Sequence, residues 1–332
     1  MSFNNLAMKK LFLLLAMLPM LFASCSKEAV EETLLNEVYT VQLSMGGELD
    51  ITYEPLTKAS PDDLYGIQVY SMPDVDGASA WTAYAYGLFD DASNITIKLL
   101  KGYKYKFEAT MLVDGKNKIY GYSASYYAPF WASGTSSEPS SVGEQFKYTS
   151  ITKFNGLNKG ESAIKDDGEY SSYARPNVER YYGELENYIP GRNGEKAVIS
   201  MSRTSFGVKY QVIGKDSGTI EIMMEGAPKM IFELAPGNTE KSDVFTFSKV
   251  YDAWKNADNE YSETVKTSVN WYRGDGTVVP LGTHEIVFKR NMTTVVKIDV
   301  SNDGANTGLG FQIDETGAMP EVDGGTITGT DF

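Results

Sequence analysis

From Val41 to Val300 the apolar residues fall on alternate positions in one short run after another, with Gly, Asn, Asp, Ser and Pro between the runs. A side-chain period of two suits a strand with one face on a core, and a helix cannot satisfy it. Tyr103–Val113 is the clearest run, with Tyr103, Tyr105, Phe107, Ala109 and Met111 on one side and Lys104, Lys106 and Glu108 on the other. Val41, Leu43 and Met45, then Gly46-Gly47, then Leu49, Ile51 and Tyr53 read as a hairpin whose glycines supply positive φ. Lys215-Asp216-Ser217-Gly218 reads as a hairpin turn by composition and Gly274-Asp275-Gly276 as a further turn. Only Ser248–Asn256, where Val250, Tyr251 and Trp254 recur at helical spacing, predicts a short helix. The fold class is therefore all-β. Short strands at this spacing, separated by turn signals, argue for β-sandwiches.

A change of composition divides the chain. From about residue 133 to 195 Ser, Gly, Asn, Glu and Lys replace the alternation, with Pro139, Pro176 and Pro190 among them, which marks a boundary or a long insertion. The expected organisation is an N-terminal sandwich over 38–145, a polar junction or insertion over 146–195, and a C-terminal sandwich over 196–332. Within the junction Asn177–Tyr182 forms an apolar island fit for a strand or a cap between domains. After Gly308 the alternating Leu309, Phe311 and Ile313 make a candidate donor or final strand.

Several function classes fall away on counting. One Cys and one His, in 332 residues, exclude disulfide frameworks, multi-thiolate zinc and imidazole clusters. A formal charge of -14 opposes nucleic acid. His284 shares a strand face with Ile286 and Phe288 and reads as a hydrogen-bonded core-side residue, since no Gly-x-Ser-x-Gly elbow offers a partner. Carboxylate pairs such as Asp90-Asp91 and Asp314-Glu315 are expected by chance among 44 acidic residues. Asp74-Val75-Asp76-Gly77 lacks the ligands of a calcium loop, and Gly308-Leu309-Gly310 lacks the third glycine of a dinucleotide site. No enzyme, metal or cofactor is expected. What remains is aromatic: 22 Tyr, 15 Phe and 4 Trp. Tyr126, Tyr127, Phe130 and Trp131, with Tyr170, Tyr173, Tyr181 and Tyr182 inside the polar region, form the candidate contact platform for a sugar or a partner, on the condition that the rings face solvent.

The first residues carry an address. Lys9 and Lys10 precede the apolar run Leu11–Phe22, too short for the ~20 residues of a spanning helix and typical of a secretory signal. Leu21-Phe22-Ala23-Ser24-Cys25 resembles the lipobox of bacterial lipoproteins, although Phe22 departs from the commonest pattern. The resemblance implies a signal peptide over 1–24, cleavage between Ser24 and Cys25, acylation of Cys25 with palmitate-type chains, and a tether over 25–37. Two or more acyl chains hold a protein to a membrane essentially permanently. Loss of Lys9 and Lys10 leaves 28 basic residues against 44 acidic ones, a formal charge of -16. Lys27-Glu28 and Glu31-Glu32 resemble the surface-export tract of Bacteroidetes lipoproteins, and also read as a solvated spacer.

The lipobox, two β domains around a polar region, the Asn177–Gly183 island and Lys289-Arg290-Asn291 before the strand Thr294–Val300 together resemble the fimbrillin-like lipoproteins of Bacteroidales. The resemblance covers the layout of the whole mature chain and rests on few letters. It implies two tandem transthyretin-like sandwiches and a lipid-anchored place in a fimbrium at the outer-membrane surface. The implied partners are other fimbrial subunits, the outer membrane through the lipid anchor, and a host or bacterial surface ligand in adhesion. Such subunits assemble by strand addition, main-chain bonds giving affinity and alternate side chains filling pockets. In stalk subunits of the family a protease, often arginine-specific, releases the leading strand. This chain has no arginine before Arg175, although Lys58 leaves a lysine-directed cut open. That departure favours an anchor or accessory subunit over a polymerising stalk. The alternative is a surface glycan-binding lipoprotein of a polysaccharide-uptake system.

Overall fold

A computed structural model describes residues 37–48, 60–166, 169–259, 261–301 and 311–319. The signal, Cys25, Lys58 and Leu309 lie outside them. The first domain begins with β1 (Val38–Gly47), β2 (Leu64–Pro73), β3 (Thr82–Phe89), β4 (Thr96–Leu100) and β5 (Tyr103–Leu112). A helical turn, α1 (Gly115–Lys118), leads into β6 (Gly121–Tyr122), β7 (Ser125–Ser133), β8 (Ser137–Ser141), β9 (Lys147–Tyr148), β10 (Lys153–Phe154), β11 (Ser162–Asp166) and β12 (Glu169–Tyr173). The long strands β13 (Arg180–Tyr188) and β14 (Lys196–Arg203) complete it. The second domain holds β15 (Ser205–Ile213), β16 (Gly218–Met224), β17 (Met230–Leu234), β18 (Glu240–Thr246), α2 (Val250–Lys255), β19 (Ser262–Tyr272), β20 (Val278–Lys289), β21 (Met292–Asp299) and β22 (Phe311–Ala318). The chain is all-β, and α2 stands where helical spacing predicts it.

The two domains repeat one topology. The first runs β4-β1-β14-β13-β5-β2-β3 with β9 added at the end, and the second runs β18-β15-β21 in one sheet and β20-β19-β16-β17 in the other. Strand for strand, β1 to β5 correspond to β15 to β19, and β13 and β14 to β20 and β21. Each domain pairs its first strand parallel with its seventh, β1 with β14 and β15 with β21. Two parts have no counterpart. One is the block β6–β12, inserted between the fifth and sixth strands of the first domain. The other is β22, added antiparallel on β21.

This order corrects three readings of the sequence. β13 and β14 belong to the first domain, so the boundary lies between Arg203 and Ser205, beyond the expected 195/196 division. β1 pairs with β4 and β14, and the expected hairpin partner Leu49–Tyr53 lies outside the described residues. The turn at 215–218 joins strands of different sheets, so it closes no hairpin.

The eight-stranded sheet of the first domain curls on itself. Val41, Leu43 and Met45 from β1, Ile97 and Leu99 from β4, and Ile67, Val69 and Phe107 from the far half share one core. Its outer face is covered where the insertion packs down: Phe130, Phe154, Leu157 and Ile164 meet Leu64, Leu88, Leu112 and Tyr182. With both faces covered, β2 is buried at six successive positions from Leu64 to Val69, the polar Gln68 among them. Gly66 leaves room for the cover, since a Cβ there would lie 2.6 Å from the Phe130 ring. The second domain is a sandwich of two four-stranded sheets, with Phe206, Phe247 and Phe288 at its centre, ring centroids 4.8 and 4.5 Å from Phe206.

Candidate functional site

The two short motifs behind the family resemblance meet at the joint between the domains. Arg203 at the end of β14 donates Nε–H to Glu179 at 2.9 Å and to the Tyr181 hydroxyl at 2.9 Å, and its Nη1 reaches Asn291 Oδ1 at 2.5 Å. Arg290 in the β20–β21 turn donates to the Glu48 carboxylate beyond β1 at 2.7 Å and to Ala257 O at 2.6 Å. Glu48 in turn accepts the Arg203 backbone N–H at 2.8 Å. Nearby, Arg175 forks onto Glu263 of β19 at 2.6 and 3.0 Å. Burial works to raise the Glu263 pKa, but the bonds and charge of Arg175 hold that carboxylate below its ordinary value. Main-chain bonds run through the same place, Thr246 N to Pro176 O at 3.0 Å and Asn291 N to Ser205 O at 3.0 Å.

Arg180 anchors this joint from inside. Its side chain is fully buried, and its donors go to Thr110 Oγ1 at 2.8 Å and to the carbonyls of Lys159, Gly156 and Leu157 at 2.6 to 3.0 Å. No carboxylate is among these partners, and burial pulls the guanidinium pKa down to about 9. It ties the inserted block to β5 and β13. All six arginines lie between residues 175 and 290, and four of them build this joint.

Strand exchange concerns the two ends of the chain. β1 supplies Tyr39, Val41, Leu43 and Met45 to the first core, and as the leading strand it lies between β4 and β14. β22 is an edge strand, with Phe311 opposite Ile298 and Ile313 opposite Val296 in register. The free edge of β4 is closed by phenols. Tyr84 donates to Lys98 O at 2.8 Å, Tyr148 accepts Lys98 N–H at 2.9 Å, and the Tyr105 hydroxyl bonds both N–H and C=O of Leu100 at 2.7 and 3.0 Å. Tyr84 stacks edge-on against both other rings, with centroids 5.2 and 5.5 Å away.

The expected aromatic platform divides in two. Tyr126, Phe130, Tyr181 and Tyr182 are buried. Tyr181 points into the inner core and Tyr182 into the outer one, because β13 is covered on both faces. Tyr127 and Trp131 of β7 and the expected Tyr170 remain at the surface, Tyr173 packs half-buried against the outer core, and Tyr120 joins the surface rings. Ring centroids lie 4.9 Å apart for Tyr127–Trp131, 5.2 Å for Tyr120–Tyr127, 5.3 Å for Tyr120–Tyr170 and 5.5 Å for Tyr127–Tyr170. Trp131 Nε1 donates to Ser137 Oγ. Tyr122 stands 83% exposed at the tip of the β6–β7 hairpin, on the same face by register. The turn beyond it places Ser123 and Ala124 at φ 51° and 61°. Tyr120 was legible in the sequence only as half of the Tyr120/Tyr122 alternation.

Carboxylates on the central strands β5 and β13 are paired. Lys106 holds Glu108, Glu184 and Glu186 at 3.0 to 3.2 Å, and Tyr70 donates to Glu108. His284 Nε2 lies 3.3 Å from Leu281 O, on the face of Ile286 and Phe288. Among the described residues no group of three His, Cys, Asp or Glu can hold a metal, and no helix is long and apolar enough to cross a membrane.

No protein-family profile and no curated protein matches the chain. Among solved structures it is similar to the fimbrial anchor protein Mfa2 from Porphyromonas gingivalis, at 12% identity over 84% of this chain and 98% of that one, with a TM-score of 0.38. It is also similar to a candidate adhesin from Bacteroides ovatus, at 11% identity over 85% and 96% of the two chains, TM-score 0.39. The tip fimbrial protein Mfa3 from P. gingivalis matches at 8% identity over 84% and 97%, TM-score 0.32. The chain resembles this group of Bacteroidales adhesins and fimbrial proteins.

Proposed function

We propose that the chain is a cell-surface fimbrial component, a lipid-anchored anchor or accessory subunit that assembles by strand addition and performs no catalysis. The observation that carries the reading is β22. The second domain has every strand of the repeated topology without it, so β22 is an eighth strand, held on the β21 edge by main-chain pairing. An added edge strand is what an extended segment of a neighbour can replace or extend. The rigid arginine joint suits a part that transmits position between neighbours.

The same reading gives the molecule a direction. β1 starts beside Leu100 at the free end of the first domain and finishes beside Met201 at the joint, about 30 Å further on at strand rise. With Cys25 acylated, the first domain faces the membrane and the second, with β22, faces outward.

The test is fractionation of the producing cells. Filaments sheared from the surface, and the basal fraction left behind, are blotted for the protein; its absence from both defeats the proposal. Incorporation of labelled palmitate, lost in Cys25→Ala, tests the anchor separately.

A further inference from the structure

We propose that the surface of Tyr120, Tyr127, Trp131 and Tyr170 is a binding site for a neutral glycan. Four observations lead there. First, the patch belongs to the β6–β12 insertion, and the second domain makes the same topology with no such block. The sandwich fold therefore does not require it. Second, these rings lie outside all three cores, and Tyr170 is 52% exposed, so core packing does not explain them.

Third, the phenols are free. The hydroxyls of Tyr120, Tyr122, Tyr127 and Tyr170 have no partner among the described residues, whereas those of Tyr70, Tyr84, Tyr105, Tyr181, Tyr182 and Tyr188 are bonded. Tilted rings packed on one another form a rigid amphipathic surface, which offers contact area at little cost in side-chain entropy. Apolar ring faces beside unpaired O–H groups match a pyranose, with its C–H face and its rim of hydroxyls. Fourth, the charge selects the partner. A chain of net charge -14 disfavours an anionic polymer, and the polar groups placed beside the rings are Ser125, opposite Tyr122, Ser137, bonded to Trp131, and Lys165, opposite Tyr170 in register. The left-handed Ser123-Ala124 turn that carries Tyr122 adds a strained, exposed tip beside the patch.

The full-length protein in mild detergent, run by native electrophoresis through gels containing a galactomannan, a β-glucan or an α-mannan, tests the site. Retardation by at least one of the three is expected. Tyr170→Ala combined with Tyr122→Ala should weaken it about tenfold, and Tyr127→Phe, which removes only a hydroxyl, about threefold. Both variants change exposed or half-exposed atoms, so an unchanged melting temperature accompanies the loss. Retardation by none of the three, retardation only by an anionic polymer such as pectin, or equal retardation of wild type and variants overturns the proposal. None of these outcomes bears on the fimbrial assignment, which the filament fractionation decides.

Discussion

Asp63 sits buried just before β2, with one carboxylate oxygen accepting the Asp114 N–H at 2.8 Å. Burial, reinforced by the charges of Asp114, Asp62 and Glu179, pushes its pKa from 3.8 to about 6. Because the folded value lies above the unfolded one, the fold favours the protonated acid. That contribution is present in full below about pH 4 and is lost as the pH rises through 6; it is worth about 3 kcal/mol if the whole shift is expressed. Asp63→Asn keeps the acceptor and removes the charge. The variant should therefore exceed the parent by about 1–3 kcal/mol at pH 7.5, with the gap closing towards pH 4. Urea titrations of both proteins from pH 4 to 8 check this, and a difference that does not change with pH contradicts it. Arg180 poses the opposite case, a charge whose planar fork serves three carbonyls and a hydroxyl at once. Arg180→Lys retains the charge but cannot reach all four acceptors, so a loss of roughly 2–4 kcal/mol is expected in the same titration.

At the scale of strands, the tyrosine excess has a specific use along the β4 edge. An edge strand presents unpaired N–H and C=O groups to any passing chain, and here phenols occupy those of Lys98 and Leu100. Replacing Tyr84 and Tyr148 with Phe keeps the ring packing and frees both main-chain groups of Lys98. The double variant should lose about 1–2 kcal/mol of stability and associate through that edge. Sedimentation velocity across a hundredfold concentration range measures it, and identical profiles for parent and variant would refute the edge role. None of this edge was legible in the sequence. Alternation told which side of Tyr103–Val113 faces a core, but a period of two carries no information on which strand is the neighbour. It also fails where both faces are covered. Tyr181 and Tyr182 are consecutive and both fully buried, so they read as surface aromatics in a polar region. Tyr127 and Trp131 were found because the cover layer itself has an outer face.

For the whole molecule, the repeated topology and the joint decide how the domains behave together. No repeat is visible in the letters, because a sandwich constrains only the alternation and the strand order, and both can be met by unrelated residues. The arginines were visible only as a late start at residue 175; their convergence depends on the chain crossing from β14 to β15 within two residues, which no local pattern announces. That crossing brings Glu48, Glu179, Arg203 and Arg290 into one network, with the Arg203 side chain nearly buried. Breaking a buried pair leaves its partner charged and unpaired, at a cost of about 3–5 kcal/mol. The cost falls on the interface, since Arg203 donates to Glu179 and Tyr181 on one side and to Asn291 on the other. Two sandwiches with separate cores unfold as one unit only while their coupling exceeds the difference in their own stabilities. Calorimetry of the parent should therefore show one transition, and Arg203→Ala combined with Arg290→Ala should split it into two. A single transition in the double variant, merely displaced to lower temperature, would mean that the main-chain bonds across the joint, Thr246 N to Pro176 O and Gly160 N to Ser248 O, couple the domains without the arginines.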